Sequence, residues 1–516
     1  MEKVRILWVD DEIELLKPHI IFLEAKGYEV STANNGEDAL DSLDNHTFEI
    51  IFLDENMPGL SGIETLERIY ERHNIPVVMI TKSEEEFIME EALGSKISDY
   101  LIKPVNPNQI LLSLKKNLDS KRLVNDKVTT SYQKEFRQIS QSIMEARSLQ
   151  DWFLIYHNLV HWELEIDEID SSGMVEIIEM QKADANAQFF KYVKNNYESW
   201  LKDGPEKPVL SHNLLRDKLF PFLSNERPDF FILIDNLRHD QWKILQPIVE
   251  EWFIIDEESS FCSILPTATQ YSRNSIFSGL TPLDLSKRFP HLWKNDHEEG
   301  GKNLHEKEFL QDQMERLGLS KKKISYNKVV QQQFGTRLVD QFNHLLQNDL
   351  NFIVYNFVDM LSHAKTEMEM IRELAGNDKS YRALTRTWFK NSSLLEMLKK
   401  ITESGSQLFI TTDHGTINVG VPSKVIGDKE TSSNLRYKTG KRLQYQPKDV
   451  MVMDNPEQFF LPASNLSSKF IFAKENIYLT YPNNYNHFVK YFKDTYQHGG
   501  ISLQEMVCPF IRLSPK

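Results

Sequence analysis

Two adjacent side chains that bind metals, Asp413 and His414, end a short apolar run, QLFITTDHG, at residues 407–415. A buried strand that stops on two such ligands delivers both to one point, a placement suited to chemistry. Alone, D-H-G is also an ordinary turn sequence. Its meaning comes from four other stretches. RPDFFILIDNL (227–237) is a second apolar run and carries an acid, Asp235, at its end. LNFIVYNFVDMLSH (350–363) is a third, presenting Asp359 and, four residues on, His363. That spacing puts both on one side of a helical turn, within reach of one ion. His498 precedes Gly499 and Gly500, which let the chain pass close to a site. Finally, Pro266 leads into a predicted helix beginning near Thr269, whose hydroxyl sits where free N–H groups favour an anion. The same threonine read alone is an N-cap. Together Asp235, Thr269, Asp359, His363, Asp413, His414 and His498 form an oxygen and nitrogen ligand set expected for two divalent ions, Zn2+ in particular.

A second acidic set lies at the beginning of the chain. Asp10 and Asp11 follow one apolar run, Asp54 closes another, Thr81 a fourth, and Lys103-Pro104 a fifth. Three carboxylates repel one another unless a hard cation holds them, and Mg2+, which prefers oxygen ligands, fits. Such an ion would also neutralise an incoming phosphoryl group.

The elements that must position these groups can be read from the patterning. Apolar runs at 4–9, 29–33, 48–53, 76–81 and 97–102 alternate with amphipathic stretches, predicting a five-stranded parallel sheet with helices on both faces and function at the strands' carboxyl ends. From 128 to 202 strand signals vanish. Phe136, Ile139 and Ile143, then Trp152, Ile155, Tyr156 and Leu159, recur at helical spacing, which predicts a helical bundle closed by Asp203-Gly204-Pro205. His157 and His161 are expected on one polar face of it, since no third ligand lies near. The remainder is α/β. The predicted domains are thus 1–122, 123–205 and 206–516. A length of 516 residues suits three domains, and 40% hydrophobic with 26% charged residues is ordinary for folded soluble protein. No apolar run approaches a membrane span, and the first residues lack the form of a signal peptide, which places the protein in the cytoplasm. Two cysteines, Cys262 and Cys508, exclude a disulfide framework. A formal charge of −15 argues against broad binding to duplex DNA.

With DD at 10–11, DENMPG at 54–59, Thr81, Tyr100 and KP at 103–104, the first segment resembles the response-regulator receiver domain. The resemblance implies that Asp54 is the phosphoacceptor and that Asp11 and the Asn56 carbonyl join it around Mg2+. It also implies that Lys103 and Thr81 contact the phosphoryl oxygens and that Tyr100 is the switch residue. The third segment resembles the alkaline phosphatase superfamily, in its D-x-L-R at Asp235, PTAT at 266–269, D-x3-H, DHG and HG. Its D-x-L-R form and RYKTG at 436–440 look still closer to the PglZ subgroup. Receiver, helical connector and PglZ output together are similar to PorX-type response regulators of Bacteroidetes, which are linked to type IX secretion. The resemblance implies one ion held by Asp359, His363 and His498 and a second by Asp235, Thr269, Asp413 and His414, with Thr269 the nucleophile. A sensor histidine kinase, and a sigma factor or secretion-system component, are the partners it implies.

The substrate reading rests on residues 423–449. Lys424, Lys429, Arg436, Lys438, Lys441, Arg442 and Lys448 there face only Asp428, Glu430 and Asp449, with Tyr437 and Tyr445 among them. Cations beside aromatics suit single-stranded nucleotides, so diesters of nucleotides or short linear or cyclic oligonucleotides are the expected substrates. Asn236 and Asn274 are candidates to steady phosphoryl oxygens, and Arg238 and Arg273 to grip phosphate. The rival to an enzyme is a signalling adaptor that keeps the phosphatase-like domain as a binding surface. In either case phosphorylation is expected to favour a homodimer.

Overall fold

The computed structural model describes residues 4–73, 75–81, 97–114, 117, 120–169, 172–202, 207–224, 226–428, 431–463 and 467–516. Asp203, Gly204 and Pro205, expected to close the connector, lie outside the described residues. The chain divides into two compact units, Met1–Gln133 and Lys134–Lys516.

In the first unit β1 (Arg5–Val9), β2 (Glu29–Ala33), β3 (Ile50–Asp54), β4 (Val77–Thr81) and β5 (Asp99–Ile102) form a parallel sheet of order β2-β1-β3-β4-β5. β3 and β4 are buried at every position, as strands covered on both faces must be, and one core lies on each side. Helix Gly62–Arg72, which follows β3, starts at a capping box: Ser61 and Glu64 satisfy each other's backbone N–H groups. The strands run as the alternation of the sequence predicts, with Asp54 the last residue of β3 and Thr81 the last of β4.

The second unit begins with connector helices, of which Leu149–Asp167 and Ser172–Leu201 pack against each other. Trp152, Ile155, Tyr156 and Leu159 are buried, as their spacing predicts. The expectation for His157 is not met. Its ring stacks on that of the buried His239 at 4.1 Å, and its Nε2 lies 2.9 Å from Ser260 Oγ, so it joins the connector to the domain behind it; His161 is exposed. Burial pushes the His157 pKa down to about 4. From Lys134 on, the connector is therefore part of the second compact unit.

That unit is built on a six-stranded sheet of order β7-β18-β10-β6-β9-β8. Its strands are β6 (Asp229–Ile234), β7 (Phe253–Cys262), β8 (Ile324–Val329), β9 (Leu350–Tyr355), β10 (Leu408–Thr411) and β18 (Val507–Pro515). β8, β9, β6 and β10 are mutually parallel, while β18 runs antiparallel to both β10 and β7. Consequently β6, β7, β9 and β10 all end at the same edge. β6, β9 and β10 are fully buried, which their unbroken apolar runs require. Smaller sheets follow: β11 (Ile417–Val419) with β17 (Thr495–Gln497), β12 (Val421–Lys424) with β16 (Ile477–Thr480), and β13 (Tyr437–Gly440), β15 (Lys469–Ala473) and β14 (Val450–Met453) in that order. Cys262 and Cys508 are free and buried. No helix among the described residues is long and apolar enough to cross a membrane.

Candidate metal centre and receiver pocket

The common edge of β6, β7, β9 and β10 gathers the C-terminal candidates. Asp235 follows β6 directly, and Asp413 and His414 stand just past β10. Asp359 and His363 share one side of helix Phe357–Glu367 after β9. His498 arrives from far along the chain because β17 pairs with β11, setting Gln497 opposite Ile417 three residues beyond His414. Two glycines permit this crossing. A side chain at Gly415 would meet the Gln504 carbonyl at 2.0 Å, and Gly499 has φ of +120°.

The candidates form two adjoining clusters, Asp359 with His363 and His498, and Asp235 with Asp413 and His414, each with one potential ligand atom per residue within 4.8 Å of the others. His363 Nε2 is 3.5 Å and His498 Nε2 3.8 Å from the Asp359 carboxylate, and the His414 and His498 rings stack at 4.3 Å. Nδ1 of His414 lies 3.1 Å from the Gly415 carbonyl and Nδ1 of His498 3.1 Å from that of Thr267. Both carbonyls only accept, so each Nδ1 carries the proton and each Nε2 presents its lone pair to the cluster, the arrangement of a metal-binding imidazole. Burial, with Asp235 and Asp413 close by, pushes the Asp359 pKa up to about 6, and Asp413 Oδ2 is buried without a hydrogen-bond partner. Three buried carboxylates in one place are costly unless cations share it. The mixed oxygen and imidazole set therefore fits two divalent ions and suits zinc better than magnesium.

Thr269 is the first residue of helix Thr269–Ser278, but Ala268 is the N-cap and no side chain caps this helix. The hydroxyl instead lies 3.1 Å from His414 Nε2 and 3.5 Å from Asp235 Oδ1. Asn236, at φ of +66°, ties the clusters together: its backbone N–H donates to Asp413 at 3.3 Å, and its amide donates to Asp359 at 3.4 Å and Ser362 at 3.1 Å. A left-handed non-glycine residue at such a position is characteristic of functional sites.

Several of the candidate substrate-binding side chains are bonded to other groups of the chain. Arg273 is fully buried, bonded to Asp235 at 2.6 Å with Glu306 at 3.3 Å, and so braces a ligand. Arg238 is held by Asp240 and by Asp378 at 3.0 Å, and the Asn274 amide donates to the carbonyls of Gln270 and Lys302. Tyr437 and Lys438 lie in β13, and Lys429 and Glu430 fall outside the described residues. Tyr437 donates to Asp296 at 2.9 Å, and Arg436 is buried against Glu505 at 2.7 Å. That pair has a positioning role invisible in the sequence: Glu505 accepts the Gly500 N–H at 2.8 Å, and its carbonyl accepts that of Gly415 at 3.0 Å. Thr267, within PTAT, has a positioning role as well. Its hydroxyl accepts the Gly499 N–H and donates to the Gly500 carbonyl, both at 3.0 Å, so PTAT and HGG are joined.

Lys438 is buried, with Nζ bonded to the Ser432 carbonyl and 4.3 Å over the Tyr481 ring; burial pushes its pKa down to about 7. From about 7 up to the ordinary value of 10.5 the unfolded chain keeps a proton that the folded protein has released, so this site's contribution to stability rises with pH. Lys438→Met is expected to flatten that part of a Tm-versus-pH curve and to leave KM for a nucleotide diester unchanged. A several-fold rise in KM would return Lys438 to substrate binding.

In the receiver pocket, Lys103 Nζ bonds Asp10 at 2.9 Å and Asp54 at 2.8 Å. Asp10, exposed Asp11 and Asp54 form a three-carboxylate group of oxygen ligands that fits Mg2+. Burial raises the Asp54 pKa and Lys103 opposes the rise. Asn56 is exposed beyond β3, Thr81 is buried at the end of β4, and Tyr100 is partly exposed on β5.

Comparison with known proteins identifies the domains. Residues 214–513, more than half of the chain, match the family of the BREX system PglZ alkaline phosphatase-like domain. The chain belongs to the PglZ family. Ahead of the PglZ domain, residues 6–115 match the response regulator receiver domain and 122–201 the PorX response regulator linker domain, so the order is that of a PorX-type response regulator. The receiver is similar to the transcriptional regulatory protein CpxR homolog of Haemophilus influenzae, 40% identical over 113 residues, 22% of this chain and 48% of that protein. It is also similar to ResD of Bacillus subtilis, 32% identical over 113 residues, 22% and 47%. This PglZ chain thus spans about half the length of the curated relatives it matches. Among solved structures, a CheY-like receiver from Methanospirillum hungatei is 32% identical, covering 23% of this chain and 96% of that one, with a TM-score of 0.22.

Proposed function

We propose that the PglZ domain is a two-zinc phosphodiesterase controlled by phosphorylation of Asp54. What supports this most is a hydroxyl that caps nothing, set beside two adjoining clusters of metal-binding side chains. Asp359, His363 and His498 would hold one ion, and Asp235, Thr269, Asp413 and His414 the other. Bound ions supply Lewis acidity and offset phosphoryl charge. Thr269 Oγ1 attacks phosphorus in line and the ester oxygen leaves; water then hydrolyses the phosphothreonine and restores the hydroxyl. Asn236 holds Asp413 and Asp359 in register throughout.

A diester is favoured over a monoester because Arg238 and Arg273, the arginines nearest the ligands in sequence, are committed to buried carboxylates. Nucleotides and short oligonucleotides are the proposed class. At the other end of the chain, Asp54 with Mg2+ would accept a phosphoryl group from a sensor histidine kinase in the cytoplasm, shifting the protein toward a homodimer. A sigma factor or a component of type IX secretion is the proposed downstream partner.

The test is a substrate panel run with and without acetyl phosphate, using Asp54→Ala as control. Bis(p-nitrophenyl) phosphate and linear and cyclic dinucleotides are expected to turn over at least tenfold faster than p-nitrophenyl phosphate, and light scattering to record a mass increase only when Asp54 is present. Faster monoester cleavage would remove the diesterase, and an unchanged mass would remove dimerisation.

A further inference from the structure

Helix Ser172–Leu201 of the connector carries a buried stripe at helical spacing, Asn186, Phe189, Val193 and Tyr197. Phe189 and Val193 suit a helix packed on a domain. Asn186 and Tyr197, 4% and 1% exposed, bring polar atoms that must find partners there. Both find them on loops that carry the clustered side chains. The Asn186 side-chain oxygen accepts the Leu503 N–H at 2.8 Å, and its amide donates to Gln504 at 3.0 Å. The next residue is Glu505, whose carboxylate accepts the Gly500 N–H and whose carbonyl accepts the Gly415 N–H. Asn186 thus grips the segment that fixes the glycine after His414 and the second glycine after His498. Tyr197 lies about three turns further along the same face of the helix. Its hydroxyl oxygen accepts the Leu265 N–H at 2.7 Å, just ahead of PTAT, and two residues earlier the Ser263 hydroxyl donates to the Asp413 carbonyl at 2.8 Å.

We infer that Asn186 and Tyr197 are positioning residues of the metal centre, through which one connector helix sets both the segment behind His414 and His498 and the loop ahead of Thr269. Neither belongs to the clusters, so each acts through the backbone it holds. Deleting either acceptor leaves a buried N–H without its bond, and the loop must shift to replace it. The effect on turnover rests on the two-zinc reading of the site; the geometry of the loops does not.

Tyr197→Phe removes one oxygen, and Asn186→Leu removes the polar end of a side chain of similar size. Val193→Ala, from the same stripe, is the structural control. With bis(p-nitrophenyl) phosphate, Tyr197→Phe is expected to lower kcat by about tenfold to a hundredfold with KM little changed, as when a group that orients a site is removed. Asn186→Leu is expected to speed loss of zinc to a chelator about tenfold, and Asn186→Asp, which keeps the acceptor for Leu503, to restore retention. Val193→Ala is expected to lower the melting temperature and to leave kcat and zinc retention within about twofold of wild type. Hydrogen exchange of the amides at 263–269 and 498–505, which needs neither metal nor turnover, should quicken in Tyr197→Phe and Asn186→Leu respectively and not in the control. Unchanged exchange in both variants, or equal losses in Val193→Ala, overturns the positioning role. Wild type that holds zinc and cleaves the diester, with both variants matching it in kcat and zinc retention, overturns it too. Wild type lacking zinc and turnover overturns the two-zinc reading instead, and exchange still decides the positioning.

Discussion

Phosphodiester turnover is expected to fall by at least about 10⁴-fold in Thr269→Val, because losses of this order follow removal of a nucleophile from an otherwise intact site. Valine keeps the shape of threonine and deletes only Oγ1. The backbone of helix Thr269–Ser278 has no reason to move, since Ala268 is the N-cap and the hydroxyl bonds nothing on its own helix. Melting temperature should therefore stay near wild type and most of the bound metal should remain. A quenched reaction of wild type should yield phosphothreonine at residue 269, absent from the variant. Undiminished turnover by Thr269→Val contradicts the mechanism, whatever metal the protein binds.

The second large effect concerns stability and sits away from the chemistry. Arg382 is buried and bonds Glu163 at 2.7 Å, Asp240 at 2.7 Å and Asp167 at 2.6 Å, joining the connector to the PglZ domain. Lys182 and Arg238 complete the group, and Tyr496 donates to Asp378 at 2.5 Å two residues before His498. Removing one charge from such a group strands the others without water, at a cost of about 3–5 kcal/mol. Arg382→Met, similar in volume, is expected to lower the urea midpoint accordingly at an unchanged slope. Arg288, whose partner Asp312 it meets with half its own side chain exposed, is the comparison; its replacement should cost about 0–1 kcal/mol. Equal effects at both positions would mean that the buried group does not brace the connector.

How far the sequence could be read follows from the range of each signal. Asp235, Asp359 and Asp413 are legible because an apolar strand and the ligand at its end lie within a few residues, so one local pattern carries both position and chemistry. The five receiver strands are legible for the same reason. Arg436 reads differently in sequence because charge alone carries no knowledge of burial: a basic stretch reads as a solvated surface until Arg436 is seen buried just ahead of β13, with Glu505 from far along the chain beside it. Thr267, Arg382 and the His157–His239 stack act through partners far away in sequence, and no periodicity announces such pairs. The positive φ of Asn236 was likewise silent, since asparagine before leucine does not signal a left-handed turn.

The central claim is that the two clusters beside Thr269 hold metal. Elemental analysis of purified, unchelated full-length protein measures it directly. Two zinc ions per chain are predicted for wild type, and one for His498→Ala, since a site losing one of three protein ligands is severely weakened. Wild type without any transition metal would contradict the account.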